Sequence, residues 1–125
     1  MRKFQYVVMA AAALTMVGCA QKSQSLFYWG EYQDNIYAMY NGDGSVTPQE
    51  QITDIERDLL RAQEQGKRIA PGIQAHLGYM YLLEGNEGAG YQAFQREKQM
   101  YPESTVFIDG MIQRAQQAKQ TGAEQ

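Results

Sequence analysis

Apolar residues recur at three- and four-residue spacing through most of the chain beyond residue 26, and nowhere do they alternate over a sustained run. That period belongs to helices, so the pattern predicts an all-α fold of about five helices and no sheet. Trp29, Tyr32, Ile36 and Tyr40 share one face of a first helix over about 30–40. Packing into a core is one use of such a face. Contact with a partner or a headgroup region is another, because amphipathic rings suit both settings. Asn41-Gly42-Asp43-Gly44-Ser45 is turn chemistry and ends that helix.

The second helix opens on a capping signal: Thr47 as cap, Pro48 in the first turn and Glu50 three residues after Thr47. Ile52, Ile55, Leu59 and Ala62 form its expected buried stripe. Asp54, Glu56, Arg57, Asp58 and Arg61 are expected in water, and Gln65-Gly66 closes the helix. A third helix over about 71–84 places Ile73, Leu77 and Tyr81 inward, and Gly85-Asn86 turns the chain into a fourth over about 87–100. The fourth stops at Tyr101-Pro102, since the residue before proline avoids the α region. Phe107, Met111, Ala115 and Ala118 mark a fifth helix over about 104–120, with a frayed tail at 121–125.

The N-terminus follows a different pattern. Arg2 and Lys3 precede an apolar run from Tyr6 to Val17, which ends at Gly18-Cys19 before Gln21-Lys22-Ser23. A bilayer span needs about 20 apolar residues, so this run reads as a cleavable secretory signal. Met16-Val17-Gly18-Cys19 resembles a bacterial lipobox, with Met16 where that pattern prefers Leu. The resemblance implies a diacylglyceryl group on Cys19, cleavage before it and further acylation such as palmitate. Ala20 and Gln21 stand where an inner-membrane retention signal would place Asp. Outer-membrane anchoring, facing the periplasm, is the destination those sorting rules imply. The expected organisation is signal peptide 1–18, lipidated tether 19–26, helical domain 27–120 and tail 121–125.

Cys19 is the only cysteine, so an intramolecular disulfide and a cysteine-rich zinc site are both excluded. Loss of residues 1–18 leaves nine basic against fourteen acidic residues, a net charge of −5. An acidic domain without a basic patch argues against nucleic acid as a partner and against anionic-lipid binding through electrostatics. Membrane affinity then rests on the acyl chains, at about 0.8 kcal/mol per buried methylene.

Residues 71–104 resemble a tetratricopeptide repeat, a helix–turn–helix unit of about 34 residues. The matches are Leu77-Gly78 followed by Tyr81, then Gly90, Phe94 and Pro102; Gln74 and Glu97 depart, standing where that pattern prefers Trp and Ala. A single repeat cannot bury its own faces, so the flanking helices are expected to stack on it. By analogy, the groove face of its first helix is Gly72, Ala75, Tyr79, Leu82 and Leu83, with Tyr79 and Leu82 as anchors for a protein partner.

A second resemblance covers most of the mature chain. Tyr28-Trp29-Gly30, Ala70-Pro71-Gly72 with Ala75-His76-Leu77-Gly78, and Glu97-Lys98 with Tyr101-Pro102-Glu103-Ser104 and Phe107-x-Asp109 carry it. These phrases resemble a family of small uncharacterised bacterial lipoproteins. Their genes often neighbour those of a lipoprotein resembling the curli secretion channel and of a small partner lipoprotein. The resemblance implies an envelope assembly and supplies no reaction.

Catalytic and metal chemistry are weakly represented. On a calcium-loop template, Asn41 takes the third position, Asp43 the fifth, Gly44 the sixth, Val46 the eighth and Glu50 the twelfth. Met39 occupies the first position, normally Asp, and Pro48 lies within the loop. Capping by Glu50 and turn formation by Asn-Gly-Asp-Gly account for the same residues. His76, the single histidine, has no nucleophile elbow or ligand spacing around it; a structural hydrogen bond to an acid such as Glu97 or Asp109 is expected. Asp54 and Asp58 read as solvated helix carboxylates. The expectation is a non-enzymatic protein-binding scaffold without a cofactor. A peptidoglycan-binding or peptidoglycan-active lipoprotein and a calcium-responsive module through residues 39–50 are the alternatives.

Overall fold

A computed structural model describes residues 25–41 and 46–123. The fold is all-α, with five α-helices among the described residues: α1 (Tyr32–Asn41), α2 (Pro48–Glu64), α3 (Ile73–Leu83), α4 (Glu87–Met100) and α5 (Thr105–Ala123). A 3₁₀ turn at Pro102–Ser104 joins α4 to α5. The last helix therefore continues three residues past the predicted end at 120. Two strands of two residues, β1 (Phe27–Tyr28) and β2 (Arg68–Ile69), pair in parallel, with Phe27 opposite Arg68 and Tyr28 opposite Ile69. This pairing corrects the expectation of no sheet. Two residues are too few to display alternation, and the pairing joins residues 41 positions apart in the chain.

The α2 start forms as the sequence dictates. The Thr47 hydroxyl accepts from the Glu50 amide at 3.2 Å, and the Glu50 carboxylate accepts from the Thr47 amide at 2.8 Å. Together they satisfy two of the donors that a helix start leaves unpaired. From there Ile52 and Ile55 point inward and meet Ile73, Leu77 and Met80 of α3, and Ala62 is buried further along the same helix.

The α3–α4 hairpin packs backbone to backbone. A Cβ on Gly78 would lie 2.7 Å from the Phe94 ring and 2.9 Å from the Gly90 carbonyl oxygen, while one on Gly90 would meet the Gly78 oxygen at 3.0 Å. The two backbones approach this closely only because both positions lack side chains, and Phe94 fills the seam with no exposed surface. Gln74 and Glu97, which depart from the repeat pattern, are both buried. Gln74 accepts from the Arg96 Nε at 3.3 Å, and Glu97 bonds the corner before α3.

The expected inward face of α1 requires correction. No residue of α1 is fully buried; Tyr32 and Met39 pack partly on the core, whereas Tyr40 is 75% exposed and Trp29 37%. Tyr32 and Met39 are seven residues apart and lie on one side of the helix, which turns Tyr37 and Tyr40 outward. Phe107 is exposed as well, and its neighbour Ile108 is the residue that α5 buries, against Ala75 and Phe94.

Candidate functional site

The C-terminal half of α3 and the following length of α5 stand apart and form a groove of about 510 Å³. Tyr79, Leu82 and Leu83 make one wall; Phe107, Met111, Arg114, Ala115 and Ala118 make the other. The α5 residues recur at i, i+4, i+8 and i+11, so one continuous stripe of the helix faces the groove. Tyr79 and Leu83 are about half exposed, and Leu82 is half-buried. Arg114 is the only charged residue in the lining. It forms no ion pair among the described residues, so its guanidinium offers hydrogen-bond donors at the rim of an apolar surface.

Three of the five residues expected to form the groove face are brought together here: Tyr79, Leu82 and Leu83. The other two are placed elsewhere. Ala75 is buried beneath Ile108, because α5 covers that end of α3. Gly72 caps α3 at φ +92° and donates its amide to the Glu97 carboxylate at 2.7 Å. The α5 wall was not among the expected groove residues, although Arg114 lies three residues beyond Met111, on the face already marked by the apolar stripe.

Two buried carboxylates hold the corners beside this scaffold. Asp58, expected in water, is only 4% exposed. It accepts the Glu31 amide at the start of α1 at 2.8 Å, and the Tyr28 hydroxyl reaches it at 3.4 Å. Gly30 sits at φ +50°, where a Cβ would lie 2.0 Å from the Asp58 carboxylate. The phrase Tyr28-Trp29-Gly30 is thus the shape needed to lay the chain over Asp58. Glu97, fully buried, takes the Gly72 amide, and the Ser104 hydroxyl stands at 3.5 Å. The Tyr101 hydroxyl donates to the Ile69 carbonyl. Glycine before a helix start was the available signal for both corners. Which carboxylate each glycine meets depends on how the helices pack.

His76 bonds through Nε2 to the Gln51 side-chain oxygen at 2.7 Å, and its ring meets Tyr32 edge-on at 5.5 Å. The expected acidic partner is therefore replaced by an amide of α2. Asp109 instead pairs with Lys98 at 2.6 Å, and Glu97 accepts the Gly72 amide. Burial lowers the imidazole pKa, so the neutral ring, donating to Gln51, suits the site. Burial also raises the Tyr32 hydroxyl pKa, with the negative charges of Glu97 and Tyr40 adding to it. Tyr81 lies at the edge of the core and donates to Glu56, which pushes its pKa up to about 12.

Of the calcium-loop candidates, Asn41 is exposed at the end of α1, and Asp43 lies outside the described residues. The Glu50 carboxyl is held below its ordinary pKa by its bonds with Thr47. Asn35 and Asp54 pair at 3.3 Å nearby. No group of three His, Cys, Asp or Glu residues stands together as a metal site among the described residues. Cys19 lies outside the described residues, and no described helix is long and apolar enough to cross a membrane.

A family model described as Domain of unknown function (DUF4810) matches residues 26–111. The comparisons with curated proteins and with solved structures return no match. The matched stretch runs from β1 into α5 and takes in both carboxylate corners, the glycine seam of the hairpin and the α3 wall of the groove. The chain belongs to this family, Domain of unknown function (DUF4810).

Proposed function

We propose that this protein is a lipid-anchored, non-enzymatic scaffold of the bacterial cell envelope, and that it holds a partner protein in the groove between α3 and α5. The observation that carries this reading is the groove itself: about 510 Å³, walled by Tyr79, Leu83, Phe107 and Met111, with a single cation and no carboxylate in its lining. Aromatic and long apolar side chains on facing helices are the usual anchors for a helical or extended protein segment. The tetratricopeptide-like spacing of residues 71–104 supports the same use, because such hairpins bind through the surface that stacked helices leave open. Hydrolysis, by contrast, asks for carboxylates in a cleft; Asp58 and Glu97 lie outside the groove, and each accepts a backbone amide.

Anchoring through Cys19 would confine the domain to the membrane plane and raise its effective concentration near membrane-bound partners. The sorting signal after Cys19 directs this reading to the outer membrane, and the family resemblance to a curli-secretion-channel-like lipoprotein as partner. A photocrosslinking residue placed at Leu83 in the membrane-bound protein tests the reading. An adduct with that envelope lipoprotein is expected from Leu83 and not from Leu60 on α2, which is the more exposed of the two. Met111→Asp and Cys19→Ser should each reduce its yield. Equal labelling from both positions, or none from Leu83, would overturn the groove as the contact.

A further inference from the structure

The opposite end of the α3–α4 hairpin from Leu83 carries a second surface of different chemistry. Here β1, β2 and the end of α4 meet, and a row of rings and cations results. Trp29 meets the Phe27 ring edge-on at 6.5 Å, and the Arg68 guanidinium lies over both the Phe27 and Tyr101 rings, 5.7 Å from each centroid. Lys67 and Arg68 are exposed beside a shallow hollow of about 340 Å³ floored by Leu59, Ile69 and Met100. Leu26 is 83% exposed. The parallel register that sets Phe27 opposite Arg68 carries Leu26 to the same end as Lys67. Neither cation forms an ion pair among the described residues; Glu64 and Glu103 are the nearby acids by sequence and position.

We infer that this end of the domain docks on an anionic bilayer surface, with Lys67 and Arg68 among the headgroups and Leu26 and Trp29 at the interface. The inference rests on the lipid-anchor reading of Cys19. Five residues separate Cys19 from Ser25, six chain steps with a reach of about 20 Å when fully extended, so the chain enters the domain close to its anchor. The entry point is the ring-and-cation row. The net acidity of the domain as a whole argues against an anionic surface, but at this end the fold sets Lys67 and Arg68 beside exposed apolar and aromatic side chains, which match the charge and polarity of an anionic interface. Aromatic rings with one polar edge favour the headgroup level. Docking in this way points α3 away from the membrane, because α3 begins just beyond β2 and runs toward Leu83, and it leaves the groove open to a partner.

Trp29, the only tryptophan, supplies the probe. The mature protein, purified with its lipid, is placed in vesicles of phosphatidylcholine alone or of phosphatidylcholine with phosphatidylglycerol. On the anionic vesicles the Trp29 emission should shift to the blue and lose acrylamide quenching, and salt should reverse both effects. Lys67→Glu with Arg68→Gln should abolish the difference between the vesicles, and Leu26→Asp should weaken it with the ring stack intact. Arg114→Glu, at the far groove, should leave it unchanged. Far-ultraviolet circular dichroism confirms that each variant is folded. Identical Trp29 accessibility on both vesicles and in detergent would overturn the docking surface, as would docking indifferent to Lys67 and Arg68. The mass of the Cys19 peptide tests the anchor separately. If it carries no lipid, the Cys19→Ser protein should still sediment with anionic vesicles at low salt, and failure to do so would overturn the surface on its own account.

Discussion

The α3–α4 hairpin and α1 show similar apolar spacing in sequence and are held in opposite ways. In the hairpin, Gly78 and Gly90 let two backbones meet, and Phe94 is enclosed without exposed surface. In α1, nothing is fully buried, and two of its tyrosines, Tyr37 and Tyr40, are at least 70% exposed. Polar contacts do much of the holding there: the Glu31 amide on Asp58, Asn35 with Asp54, and Glu31 with Arg57 at 2.9 Å. The difference teaches that helical periodicity reports a helix with two faces, and that burial of one face depends on whether another element comes close enough to exclude water.

Truncating the seam should have the largest effect. Phe94→Ala is expected to cost about 3–5 kcal/mol, the range for removing a fully enclosed aromatic ring, read as a lower denaturation midpoint for the whole domain. A smaller loss with unchanged cooperativity would mean that the seam collapses onto the space and is less rigid than its close contacts imply. Gly30→Ala should follow, at about 1–3 kcal/mol for a strained positive φ and a displaced carboxylate. Its effect should be local: faster amide exchange over 30–41, with 73–100 still protected. Loss of protection in both regions together would show that α1 is part of the core's cooperative unit.

His76 joins the two regions, since its ring touches Tyr32 of α1 while it rides on α3 and bonds to α2. Its pKa is lowered by burial, so the unfolded chain takes up a proton before the folded one does. The stability from the neutral buried ring is therefore fully present above about pH 6.5, the ordinary imidazole value, and is lost as pH falls through that value toward the folded one. His76→Gln should flatten this acid-side slope in chemical denaturation, while an unchanged slope would assign it to carboxylates. The smallest effect belongs to Tyr40→Ser, expected to shift stability by less than about 0.5 kcal/mol, as for exposed positions without partners. A loss several times larger would mean that α1 buries this face in solution and would dissolve the contrast.

Much of the scaffold was legible. The capping box at Thr47–Glu50, the turn at Gly85-Asn86 and the stop at Tyr101-Pro102 rest on contacts between close neighbours in the chain, and the structure has each of them. The candidate groove was half legible. Tyr79, Leu82 and Leu83 follow from the hairpin pattern, but the opposite wall requires knowing that α5 crosses over Ala75 through Ile108 and then leaves α3 uncovered. Asp58 was misplaced for a related reason. Four-residue spacing to Asp54 puts both on one side of α2, yet Gly30 and Glu31 fold over Asp58 alone and bury it.

Helix number, the capped and proline-stopped helix ends and the glycine positions of the hairpin were determined by the sequence alone, because backbone hydrogen bonding, caps and turns act over a few residues. Tertiary structure decided the pairing of β1 with β2, the exchange of an expected acid for Gln51 at His76, the burial of Asp58 and Glu97, and the opening between α3 and α5. Each of these depends on the distance between elements far apart in the chain. That distance is set by the bulk and shape of side chains on both, which no local pattern encodes.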